Sequence, residues 1–294
     1  MYEKIVKDIA HFNITGAEKI TYWGVSAFLY KKRELDSKVQ FISTYLVHLS
    51  KIKSELFSLR ENEFSLHNAL HYIFDKKRYA KAQSLAEVQK DVEQRIEHIF
   101  KHLEDALFKV SHIAEKKIKD SFVILTFGHS SFVVDVCNHC YGKKKFSVIV
   151  LEGGPEKKGI DFINELHKKI PVTYLSDTSV FDAIKKADII LLGATAINHS
   201  GDIVTQHGSK TIAVVAKELG VPIYIVTDSL KYAKEVIHKE DKPSEELWIN
   251  PPKNVTIFNS SVSILSKNDV SYIISEKGIL KPLDFIKAAK NSFL

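Results

Sequence analysis

Sulfur is scarce in this chain. Of its 294 residues, two are cysteine, Cys137 and Cys140, and one is methionine. Two cysteines separated by two residues cannot staple a chain this long, which excludes a disulfide-built secreted domain. Cys137-Asn138-His139-Cys140 would need further ligands to hold zinc, and no second pair exists, so two buried cysteines on one helix are expected and no metal. Among the 13 histidines there is no H-E-x-x-H or similar ligand spacing. Apolar runs approaching the ~20 residues needed to span a bilayer are also missing. The amino terminus, MYEKIVKDIAHF, lacks the apolar core of a signal peptide, so a cytoplasmic location and no membrane contact are expected. Glycine-rich nucleotide loops are absent too: Glu152-Gly153-Gly154-Pro155 followed by Gly159 fits neither G-x-G-x-x-G nor a P-loop, and no cofactor is implied. The net charge of +6 is spread over many lysines with no aromatic-interleaved basic motif, which argues against direct DNA binding.

What is present falls into two patterns. Residues 1–118 repeat apolar side chains at steps of three and four, predicting an all-helical domain. The expected helices run over about Tyr2–Phe12, Gly16–Lys32, from near Asp36 to Leu56, Ser65–Phe74 and Ser84–Ile118. The period changes at Ser121, and residues 119–294 alternate apolar runs with helical segments. Strands are expected at Phe122–Thr126, Ser147–Leu151, Val172–Leu175, Asp188–Leu192, Ile223–Thr227, Val255–Asn259 and Ser271–Ser275. Helices are expected at Ile160–Lys169, Ser179–Lys186, Ser209–Leu219 and Pro282–Lys290, with a Pro-rich connection over 240–255. The whole is an α/β chain: an N-terminal helical domain followed by a Rossmann-like, doubly wound parallel sheet.

Ligands of such sheets sit beyond the carboxyl ends of the strands. Gly193–Ala196 and Thr227–Ser229 should therefore line the crevice, with Asn198, Ser200, Gly201 and Asp202 on a loop. Phe127-Gly128-His129-Ser130-Ser131 has the position of a nucleophile elbow, but Phe132 stands where the last glycine is required. Ser130 is left with two readings, a helix N-cap or part of an anion site at a helix N-terminus. Asp177 is expected to cap a helix.

The runs VILTFGHSSFVVDV, KKKFSVIVLEGGPEKKG, IPVTYLSD and ADIILLGATAINHSGDIVTQHGSKTIAVVAKELGVPIYIVTDSLKY resemble the alpha/beta/delta regulatory subunit family of translation initiation factor 2B. The flavour is that of a beta-type subunit or an archaeal homologue. SLRENEFSLHNALHYIF and ITGAEKI extend the likeness into the helical half. The family also contains methylthioribose-1-phosphate and ribose-1,5-bisphosphate isomerases. Against their pattern, Gly128 stands at the catalytic cysteine position and Thr195 at the catalytic aspartate. Thr15 and Gly154 replace phosphate-binding arginines, and Thr205-Gln206 replaces an Asn-Lys ligand pair. Isomerisation needs a group that moves a proton, and neither Gly128 nor Thr195 does so.

The resemblance thus implies no catalytic residue. It leaves a vestigial or ligand-sensing pocket of Arg60, His129, Ser130, Glu152, Thr195 and Asp228. The function it implies is a non-catalytic regulatory subunit, a scaffold that regulates guanine-nucleotide exchange on initiation factor 2. Such a subunit oligomerises with itself or with sister subunits, and its pocket takes a sugar phosphate or nucleotide. The alternative is a sugar-phosphate isomerase or sensor with a diverged pocket, in which His129, Asp177 or Asp228 carries the proton.

Overall fold

The computed structural model describes residues 1–11, 13–14, 16–60, 62–234, 242–260 and 262–293. Thr15, and residues 240 and 241 of the expected connection, lie outside them. The chain forms two compact units. One comprises Met1–Ala106, Leu230–Tyr232 and Ala289–Leu294, the other Leu107–Ser229 and Ala233–Ala288. Among the described residues no helix is long and apolar enough to cross a membrane.

The first unit is helical: α1 (Tyr2–Ala10), α2 (Ala17–Lys38), α3 (Ile42–Ser58), α4 (Phe64–Ile73) and the part of α5 (Leu85–Ala114) up to Ala106. In α3, Tyr45, Leu46, Leu49, Ile52 and Leu56 recur at three- and four-residue steps, and all are buried. Val88, Val92, Ile96 and Ile99 of α5 do the same. Helix α2 continues past Lys32 because Lys32 is itself buried and pairs one turn on with Asp36 at 2.9 Å, and across to Glu93. Asp36 also accepts a 2.6 Å hydrogen bond from the Tyr45 hydroxyl. That bonding places Asp36 in α2, so the next helix starts at Ile42 and not near Asp36 as the spacing suggested. Leu230, far along the chain, is fully buried in this same core. Asn68 of α4 donates from Nδ2 to the carbonyls of Leu230 and Tyr232, at 2.7 and 2.6 Å.

The second unit begins with the end of α5 and is built on β1 (Phe122–Phe127), α6 (Ser131–Cys140), β2 (Phe146–Leu151), α7 (Lys158–Glu165), β3 (Val172–Leu175), α8 (Val180–Lys186) and β4 (Ile189–Gly193). It continues through β5 (Ala196–Asn198), β6 (Ile203–Gln206), α9 (Ser209–Leu219), β7 (Ile223–Val226), β8 (Tyr232–Ala233) from Ala233, β9 (Val262–Leu265), β10 (Tyr272–Ser275), β11 (Gly278–Leu280) and α10 (Pro282–Phe293) up to Ala288. The main sheet runs β11-β10-β7-β4-β1-β2-β3, parallel except for β11. Its inner strands are mostly apolar, as expected of a parallel sheet buried on both faces; all four residues of β7 are buried. At one edge, β3 is half-exposed.

Two expectations fail here. Residues 196–206 are not a plain loop but an antiparallel hairpin, β5 with β6, extended by β9. Asn198 Oδ1 closes its turn, accepting from the amides of Ser200 and Asp202 at 3.0 and 2.9 Å. Val255–Asn259 is not a strand; the residues that pair with β6 are Val262–Leu265, in register from Gln206↔Val262 to Ile203↔Leu265.

Candidate functional site

The strand order reverses between β1 and β4, and crevices in doubly wound sheets open at that point. Helix α6 starts there, directly after Gly128-His129-Ser130. Ser130 occupies the N-cap position, yet its hydroxyl makes no capping bond. It packs on Gly193 at the end of β4: a Cβ at residue 193 would lie 2.5 Å from Ser130 Oγ, too close for any side chain. Thr195 follows, its amide donating to the Val204 carbonyl at 2.8 Å. Register pairs Gly193 with Val226, so Asp228 emerges beside this end of the sheet, 2% exposed. The hydroxyl of its neighbour Thr227 is buried without a hydrogen-bond partner among the described residues. Ser229 donates from its amide at 3.2 Å, and from its hydroxyl, to the Glu276 carboxylate.

Ser130, Thr195 and Asp228 thus gather at the ends of three adjacent strands, β1, β4 and β7. Glu152 sits one strand further, after β2, its backbone tied to Leu175 and Gly159. His129 turns away: its Nε2 lies 3.0 Å from a carboxylate oxygen of Glu165 at the end of α7. Asp177 caps no helix. Its two oxygens accept from the amides of Gly153 and Gly154, at 3.0 and 2.8 Å, and fix that turn. Arg60 belongs to the helical unit, where Nε donates to the Ile9 carbonyl at 3.3 Å and Nη1 lies 4.0 Å from Glu63.

The residue that dominates the crevice is Gln206, at the end of β6. Gly128 has φ +65°, a backbone region that favours glycine, and a Cβ there would lie 1.7 Å from Gln206 Oε1. A Cβ at Gly153 would meet Gln206 Nε2 at 2.8 Å. The carboxamide therefore fills the volume into which a side chain at residue 128 would project. Sequence alone marks Gln206 as a departure from the isomerase pattern, but nothing in it brings residue 206 over residue 128.

Beyond Gln206 lies a cavity of about 290 Å³, lined by Gly154, Pro155, Gln206, His207, Lys242 and Asn259 among others. Its cation is already engaged: Lys242 pairs with Glu156, which Lys158 also reaches at 2.6 Å. Burial works against the charged form of Glu156, but hydrogen bonds from Lys158 and Lys242 outweigh it and hold the carboxyl below its ordinary value. Cys137 and Cys140 are buried on α6 as expected. Burial raises both thiols, that of Cys140 to about 11, so neither is a thiolate nucleophile at neutral pH.

The fold is a helical unit joined to a Rossmann-like sheet whose strand order reverses between β1 and β4. The chain belongs to the initiation factor 2 subunit family, whose model matches residues 14–282. It is 27% identical to the ribose 1,5-bisphosphate isomerase of Pyrococcus furiosus, over 99% of this chain and 93% of that protein. It is 30% identical to the translation initiation factor 2B alpha subunit of Dictyostelium discoideum, over 59% of this chain and 60% of that one. Among solved structures, the Pyrococcus horikoshii translation initiation factor eIF-2B superposes with a TM-score of 0.80 at 23% identity, covering 97% of this chain and 98% of its own.

Proposed function

We propose that this protein binds a sugar phosphate or nucleotide in the crevice and does not convert it. The observation that carries this reading is the Gln206 carboxamide over Gly128. Isomerisation requires a positioned group to take and return a proton. At residue 128 there is no side chain, and the space for one is occupied. Asp177 is committed to two backbone amides and His129 to Glu165, so the carboxylate to test as a proton carrier is Asp228, buried at the end of β7. Binding is favoured by the cavity beside Gln206 and by likeness to ribose 1,5-bisphosphate isomerases along nearly the whole chain.

The test is a titration of the intact chain with ribose 1,5-bisphosphate and with AMP, read by thermal stability and by turnover. A rise in melting temperature without turnover is expected. Turnover that disappears in Asp228→Asn would overturn the reading in favour of an isomerase with a rearranged site.

A second reading, a scaffold that regulates nucleotide exchange on initiation factor 2 together with sister subunits, is favoured by the 30% identity to the Dictyostelium alpha subunit. Capture of initiation factor 2 from the native source, with no stabilisation by either ligand, would select it.

A further inference from the structure

We propose that His112, Glu115 and His139 form a binding site for a divalent transition-metal ion of the zinc class. His112 and Glu115 stand three residues apart, on one face where α5 gives way to a short 3₁₀ turn, and His139 reaches them from α6. All three belong to the α/β unit. One donor atom from each lies within 4.8 Å of the other two. Bonds of about 2.0–2.1 Å in a tetrahedron place ligand atoms about 3.4 Å apart, so small side-chain rotations close the site.

The hydrogen-bonding pattern also points to a cation. His139 Nε2 lies 2.9 Å from Glu115 Oε2 and 2.8 Å from Lys143 Nζ, and Lys143 Nζ is 3.5 Å from the same Glu115 oxygen. One ring nitrogen cannot both donate to a carboxylate and accept from an ammonium. A metal ion at the shared point resolves the conflict, because nitrogen and carboxylate then both direct lone pairs at one positive charge. Lys143 holds a cation against two of the three donors already, and its side chain is 46% exposed, so it can swing into water. The Phe108 ring lies 6.2 Å from that of His112 and 6.4 Å from that of His139, adding an apolar wall. Two imidazoles and one carboxylate suit zinc, nickel or copper over magnesium or calcium, which prefer oxygen alone. Three protein ligands leave a fourth position for water or an outside donor. Cys137 and Cys140 take no part, being buried on the same helix.

The experiment is calorimetric titration of the chelator-stripped, intact protein with zinc chloride, repeated with cobalt(II) and followed by visible absorption. Saturable binding of one ion is expected, with no heat from magnesium at the same concentration. Losing an outer-shell partner of a metal site costs about 10–100-fold in affinity, so His112→Ala and His139→Ala should each weaken binding by more than about 100-fold and abolish the cobalt spectrum. Lys143→Ala should tighten it by removing the competing cation. If His139→Ala does not fold, His112→Ala, at an exposed position, carries the test. Binding undiminished in His112→Ala, or no binding to the native chain, overturns the proposal.

Discussion

At the scale of single residues, Gly128 and Gln206 behave as one unit. Replacing Gly128 with alanine drives a methyl into the carboxamide and asks a side chain to adopt φ +65°. Overpacking costs about 1–3 kcal/mol and the left-handed backbone about 1–2 more. We expect Gly128→Ala to destabilise by about 3 kcal/mol in urea unfolding. The double variant with Gln206→Ala should recover about 1–2 kcal/mol of the summed cost, because only the backbone part remains. Additive costs would mean that Gln206 already moves freely. Gly193 makes a parallel case: Gly193→Ala pushes against Ser130 and should cost about 1–3 kcal/mol by the same measurement. That residues 128 and 195 depart from the isomerase pattern was legible in the sequence, because each is a change of residue type at a patterned position. That Gln206 fills the space beside Gly128 was not, since it depends on β6 folding back as a hairpin.

At the scale of elements, the join between α2 and α5 depends on Lys32. Its side chain is 4% exposed and meets Asp36 and Glu93, while Arg33 lies 3.2 Å from Glu93. Removing one partner of a fully enclosed ion pair costs ~3–5 kcal/mol. Glu93 and Asp36 remain partly in water, so Lys32→Ala should cost on the order of 2 kcal/mol. Burial raises the Glu93 carboxyl, but Lys32 and Arg33 outweigh it and the net shift is downward. A carboxyl depressed in the folded state contributes stability that is fully present above its unfolded value of about 4.3. That contribution disappears as the pH falls through the folded value. Unfolding midpoints measured from pH 7 down to pH 3 should therefore fall less steeply in Glu93→Gln. The same region shows where the helical pattern alone misleads. Apolar spacing tracks α3 and α5 well, but the boundary between α2 and α3 is set by polar contacts of Lys32 and Asp36. The β5–β6 hairpin escaped for a related reason: strands of three or four residues around Asn198-His199-Ser200-Gly201-Asp202 are too short to show a two-residue period. His112 and Glu115 are visible as a helical pair, but their meeting with His139 depends on how α6 packs.

At the scale of the whole molecule, the switch from helical to alternating pattern near Ser121 was legible because it rests on many residues at once. The composition of the two units was not, because Leu230–Tyr232 and the last turns of α10 join the helical unit from far along the chain. A fragment of residues 1–118 would lack Leu230, whose burial is worth about 2 kcal/mol. Asn68 would also lose both of its carbonyl partners, at a cost of about 1–3 kcal/mol for a polar group left unsatisfied. We expect that fragment to keep helical circular dichroism but to unfold without a sharp transition and to bind a hydrophobic dye; cooperative unfolding at the native midpoint would contradict this. The interleaving has a genetic consequence. A recombination event that cuts the coding sequence once cannot carry away the helical unit whole, since its segments lie at both ends of the chain and at Leu230–Tyr232 between them. A cut after residue 106 would take Leu230–Tyr232 away with the α/β unit, so no single cut yields a helical unit with its core complete.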